Sequence, residues 1–314
     1  MNRRDGLLVY ILVVCTLAAG WAVRAAEDFT GTWTIERLEK PGEVQFTLIH
    51  HQHGNSSSHS SAWPLSVFAG LDTSKTGKQE VKFTITRDAG RLDCVGYLDN
   101  GEGAGSFHFV ANPKFPSEMN SMGFTGIDEE KQFSMMVMDV TLNFAREMKS
   151  ENLEGLDTDK LIAFRIFDVN SAFIHDLREA GINVTDCDQL VAFRIHGVTP
   201  EMVRFLGKSG YQPTADNLIA MRIHGATPEF IQGLQKQGYQ HVEIDKLIAF
   251  RIHGVSPEFI EKVQALGYKH PEPDQLIAMR IHGVTPEYIS GLKSRGMANL
   301  TINQLVALKI QGID

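Results

Sequence analysis

One short string concentrates the side chains with chemical potential in this chain. "RIHGVTPE" stands at residues 280–287 and recurs, with at most one change, from Arg194, Arg222 and Arg251. Each copy presents an Arg, a His and a Glu at fixed spacing, so the set is Arg194 and His196, Arg222 and His224, Arg251 and His253, Arg280 and His282. A His beside a carboxylate is the material of general acid–base catalysis. A column of His could bind a metal or titrate near neutrality, and an Arg could clamp an anion. Metal ligands must lie about 2 Å from a shared ion, whereas stacked helices sit about 8–10 Å apart. Neighbouring copies therefore converge poorly on one ion. The sequence contains no HExxH, GxSxG, P-loop or CxxC, and an active site copied four times along a rod would be unusual. No catalytic residue and no cofactor is assigned, and the string is read as architecture.

The other chemical candidate is "HHQHGNSSSHSS", which holds His50, His51, His53 and His59. His51 and His53 would share one face of a strand, and His59 could return across a loop to give two or three metal ligands. The competing reading is a solvated, Ser-rich hairpin connection. No carboxylate or cysteine stands nearby to complete a metal centre, and none is assigned.

Self-similarity sets the positions of all these residues. The block "L-I/V-A-F/M-R-I-H-G-V/A-T/S-P-E" starts at Leu190, Leu218, Leu247 and Leu276, with weaker copies at Leu161 and Leu305, at spacings of 29, 28, 29, 29 and 29 residues. The small apolar residue before "TP" continues the register back through Val169, Val140 and Ala111. The array is therefore expected over 111–314, with degenerate units at 111–160 and clear ones at 161–314.

Each unit reads as two short helices. In "DKLIAFRIH", Asp245 is expected to cap the start and Gly254 to end the helix. The second helix opens with Ser256 as N-cap, Pro257 in the first turn and Glu258 where the dipole favours a negative charge. A helical wheel spreads Leu247, Ile248, Ala249, Phe250 and Ile252 nearly all round the axis, which predicts a first helix buried on every side. Gly197, Gly225, Gly254 and Gly283, with Pro200, Pro228, Pro257 and Pro286, punctuate the corners. Arg must then snorkel, pair with a carboxylate or bond the last carbonyls of a helix, and His can serve the helix end. Helices this short are marginal alone and need their neighbours.

Residues 27–110 change period. "EVQFTLIH" and "EVKFTITR" alternate, and "GTWTIER", "RLDCVGY" and "GSFHFV" also read as strands. The fold class is therefore α+β: an N-terminal antiparallel sheet or small barrel of five or six strands, followed by an α-solenoid. Residues 1–26 read as an export signal with cleavage after Ala25, or as an N-terminal anchor through the apolar run 7–23. A periplasmic or extracellular setting follows. Cys94 and Cys187 fall in different segments, as two buried thiols or a disulfide. The net charge of −8 removes the electrostatic case for nucleic acid.

The run "RIHGVTPEF/YI" with "LGY" resembles repeats of uncharacterised exported bacterial proteins and regions appended to antirepressor-type membrane zinc peptidases. The likeness covers residues 104–314 and, loosely, the rest of the β segment. The peptidase's HExxH is absent, so the resemblance implies an envelope setting and a signalling context without protease activity.

Constant positions are those a repeat fold requires, so function is expected where copies differ: Arg204, Lys208, Gln232, Gln235, Glu261, Gln264, Ser290 and Lys293 on the second helices. This strip is the expected surface for a protein or peptide partner of a non-catalytic envelope protein. Two alternatives stand beside it: a β domain that senses a small ligand or metal ion and signals through the array, and an enzyme of unassigned type.

Overall fold

The structure, a computed structural model, describes residues 29–52 and 55–313. The export segment and His53 lie outside them. The β segment forms one six-stranded sheet: β1 (Thr30–Arg37), β2 (Glu43–Gln52), β3 (Asn55–Pro64), β4 (Lys78–Arg87), β5 (Gly90–Asp99) and β6 (Glu102–Ala111). The order is β3-β2-β1-β6-β5-β4 and every neighbouring pair is antiparallel. β3 and β4 are its two edges, so the sheet is open and not a barrel.

The Ser-rich stretch is an edge strand, where the sequence favoured a hairpin connection. β2 is long enough to pair with it from Glu43 opposite Pro64 to Gln52 opposite Asn55, and exposed side chains join the two strands, with Gln45 and Thr47 both bonded to the Ser60 hydroxyl. On the inner face, Trp33, Phe46, Phe83, Ile85, Leu92 and Phe109 are fully buried. The indole of Trp33 lies across Gly96 and Gly105, where a Cβ would come within 2.6 and 2.7 Å of its ring. Those two positions must be glycine for the central tryptophan to lie flat on the sheet.

The helical array begins directly after β6 with α1 (Phe115–Ser121). First helices of the units are α2 (Glu129–Val137), α4 (Thr158–Ile166), α6 (Cys187–His196), α8 (Ala215–His224), α10 (Ile244–His253), α12 (Pro273–Ile281) and α14 (Ile302–Ile310). Second helices are α3 (Leu142–Ser150), α5 (Ser171–Ala180), α7 (Pro200–Lys208), α9 (Pro228–Lys236), α11 (Pro257–Ala265) and α13 (Pro286–Ser294). First helices stack on first helices and second on second, giving two layers. From α6 onward the first helices approach one another more closely than the second helices do.

Local chemistry sets the helix ends. Thr199, Thr227, Ser256 and Thr285 each accept the backbone N–H three residues on, with Pro in the first turn. Gly197, Gly225 and Gly254 close α6, α8 and α10 in the left-handed conformation. α10 opens two residues earlier than Asp245 would place it: Glu243 precedes the helix and Asp245 sits in its first turn.

One hydrophobic core runs from the sheet into the array. At the junction, Phe133 of α2 packs against Phe29, Phe107 and Phe109. Gln132 donates to the carbonyls of Ala89 and Asn112, both at 2.7 Å. Arg87, at the end of β4, donates to the carbonyls of Met136 and Val137 at the end of α2. The sheet thus closes the first-helix layer.

Cys94 and Cys187 are both free and buried. Burial pushes the Cys94 thiol well above the ordinary range and raises Cys187 to about 12. Native protein at pH 8 should therefore resist alkylation by iodoacetamide at both positions and react at both after denaturation in guanidinium; rapid native labelling of either would contradict this packing.

Candidate functional site

The "RIHG" corner is a joint between units. Arg222 donates through Nε to the carbonyl of His196 at 3.0 Å, Arg251 to that of His224 at 3.4 Å and Arg280 to that of His253 at 3.3 Å. Arg194 and Arg165 reach the carbonyls of Asp168 and Met138 in the same way. Each guanidinium therefore covers a carbonyl at the end of the preceding first helix, one of the acceptors that a helix terminus leaves without a partner. Arg194, Arg251 and Arg280 also lie over the rings of Phe173, Phe230 and Phe259, at 4.4, 5.0 and 5.0 Å.

At this joint His196, His224 and His253 contribute their backbone carbonyls. His282 occupies the C-cap of α12. In two earlier units Asp139 and Asp168 take the left-handed position, at φ of 56° and 55°, and their carboxylates pair with Arg165 and Arg194.

Three further ladders tie the units. At the starts of first helices, Lys131 pairs with Asp159 at 2.8 Å, Lys160 with Asp188, and Lys246 with Asp274, while Gln189 donates to Asp216 at 3.0 Å. Between units, the hydroxyls of Tyr239 and Tyr268 donate to the carbonyls of Pro271 and Leu300.

The third ladder runs through part of the strip expected to meet a partner. Gln264 donates to the carbonyl of Gln237 at 3.0 Å and Lys293 to that of Leu266. Lys149 and Arg178 do the same at equivalent positions in earlier units. Gln235 bonds within its own unit, to Gln240, and Arg204 pairs with Glu201 at 3.1 Å. Lys208, Gln232, Glu261 and Ser290 remain exposed. The strip is thus divided: some of its variation tunes contacts between units.

The surface that sequence reasoning passed over is made of constant residues. Ile166, Ile195, Ile223, Ile252 and Ile281, the Ile of each "RI" step, and Ile310 of the equivalent "KI" step are between 52% and 62% exposed. Half-buried Ile219, Ile248 and Ile277 lie four residues before three of them, and the small side chains of Ala220, Ala249 and Ala278 lie between. Together they set a stripe of apolar positions, one exposed Ile to each unit, along the outer face of the first-helix layer. The expectation of a first helix buried all round is corrected here. At 100° per residue Ile252 lies opposite Phe250 and Leu247, which face the second layer, and this side has no third layer over it.

The His cluster is not a single constellation. His50 is on the inner face of the sheet, 6% exposed, its ring stacked on Phe29 at 3.8 Å and its Nδ1 2.7 Å from the Thr30 carbonyl. His59, opposite Leu48, has Nε2 2.9 Å from the Ser61 hydroxyl, which also accepts from the Trp63 indole. Burial and the charge of Arg87 lower its pKa, which favours the neutral ring. The backbone of His51 pairs with Ser56. Among the described residues, no group of three or more His, Cys, Asp or Glu is placed to hold a metal ion.

No protein-family model matches the chain, and no curated protein matches it.

Gly254 and Arg280 meet at one corner, where a Cβ on Gly254 would lie 2.9 Å from the guanidinium and at a φ of +73°. Gly254→Ala should cost about 1–2 kcal/mol from the left-handed backbone alone, and further by displacing Arg280. Urea denaturation followed by circular dichroism checks this, and an unchanged midpoint would mean the corner does not hold adjacent units.

Proposed function

We propose that this chain is a non-catalytic binding protein of the cell envelope, and that the isoleucine stripe on its first-helix layer receives a protein partner. The observation that carries the reading is the exposure of one Ile at the same position in six successive units. An apolar patch of that extent on a rigid surface marks an interaction site more often than a chance of packing. The ladders of Arg, Tyr and Lys contacts fix the spacing of the units, so the stripe is preformed and little ordering is needed on binding. The envelope setting rests on the export character of residues 1–26 and on the resemblance of the repeats. Among the described residues no helix is long and apolar enough to cross a membrane.

The spacing of the stripe supports one kind of occupant. Successive stacked helices lie about 8–10 Å apart, and an α-helix returns an apolar residue to one face every seven residues, about 10.5 Å along its axis. An amphipathic helix laid along the array therefore matches the isoleucine spacing, in the helix-in-groove manner. Asp188, Asp216, Asp245 and Asp274 flank the stripe on one side, and the Arg and His of the corners flank it on the other.

A photo-crosslinking amino acid at Ile223 or Ile252 in the exporting cell should yield a discrete protein adduct, and one at Gln232 should not. The pair Ile223→Asp and Ile252→Asp should abolish the adduct from a probe at Ile195 while changing stability by no more than about 0.5 kcal/mol per site. Adducts from Gln232 with none from the stripe would transfer the function to the second helices.

A further inference from the structure

A cavity of about 190 Å³ lies between the inner face of β2 and β3 and the helix α2. Leu48 and Phe133 give it an apolar floor, and His50, His59, Ser134 and Glu130 supply polar groups. His50 is the informative member. Its Nδ1 lies 2.7 Å from a backbone carbonyl, which can only accept, so Nδ1 carries the proton. In the neutral ring Nε2 is then a lone-pair acceptor. That atom is buried and has no hydrogen-bond partner among the described residues, a state that ordinarily costs a protein stability. The stacking on Phe29 and the bond to Thr30 hold the ring in place.

We infer that this cavity is a binding site for a small neutral hydroxyl compound, of phenol or short-alcohol type, whose O–H donates to Nε2 of His50 while its apolar body rests on Leu48 and Phe133. The volume suits a ligand well below ordinary drug size, whose pockets run to about 300–1,000 Å³. Neutrality follows from the surroundings. Burial first, and then the positive charge of Arg87, disfavour protonation of His59 on this wall, and Glu130 at the rim is exposed to solvent and screened. The inference is independent of the partner proposed for the array, although the ligand would touch both the sheet and α2.

The test uses the full chain with ¹⁵N-labelled histidine and three probes: phenol, toluene as its counterpart without a donor, and cyclohexylamine as a cation. Phenol should bind saturably and shift the Nε2 resonance of His50, with Nδ1 observed as the protonated nitrogen. Toluene and the ammonium should each bind about 10-fold or more weakly. His50→Phe, which keeps a ring against Phe29 and removes the acceptor, should erase the preference for phenol over toluene. The inference is overturned if phenol does not saturate, if toluene binds as tightly, or if the ammonium binds best. The comparison of probes on the unaltered chain decides the matter should the variant fail to fold.

Discussion

The first helices α2, α4, α6, α8 and α10 each end with carbonyls that no residue of their own turn can satisfy, and the Arg of the next unit covers one of them. The rest of the array follows from this contact. Helices of nine or ten residues are marginal alone, and leaving an acceptor buried at each end would make them worse. Arg222, Arg251 and Arg280 solve both problems with one side chain, because each bonds a terminus while laying its stem and guanidinium against the preceding unit. The contact works only if the next helix starts one unit later in the same orientation, and that requirement holds the repeat length at 28 or 29 residues. Asp139 and Asp168 show the same joint built differently, with a carboxylate added where later units rely on glycine and a bare carbonyl.

The sheet obeys the same rule at the first joint. Arg87 comes from a β-strand, yet it covers the end carbonyls of α2 as the repeat arginines cover those of later helices. Asp88 accepts from the backbone N–H of Leu142 at the start of α3, so one β-turn serves both helices of a unit. The β segment therefore behaves as a cap whose turn chemistry imitates a repeat, and the shared core around Phe133 makes the two parts one folded body.

Much of this was legible in the sequence because it is written in local chemistry. Thr or Ser before Pro, and Gly after His, mark helix ends through bonds within four residues, and the register from Val284 back to Ala111 exposed the hidden first units. Three features were not legible. The strand at 55–64 is nearly all Ser, His and small residues, with no propensity of its own; it is a strand because β2 offers a free edge. The donation of Gln264 and Lys293 to the preceding unit depends on where that unit's last turn falls, which the residue types do not reveal. The exposure of Ile252 depends on there being no layer outside the first helices, and a wheel describes one helix without its surroundings. The signal was present all the same: an Ile constant in six copies, on the side opposite Leu247 and Phe250.

Because all first helices point the same way, their dipoles lie side by side and repel, an arrangement tolerated only if counter-charges stand at both ends. The aspartates at their starts and the arginines at their ends supply them. From α4 to α12 each first helix consequently has an acidic first turn and a basic last turn, and the lysines at the starts, Lys131, Lys160 and Lys246, tie those acids to the preceding unit. An occupant seated on the isoleucines, as proposed, would meet helix starts on one side and helix ends on the other in the same order at every unit, so the two ways of laying it down would not be equivalent.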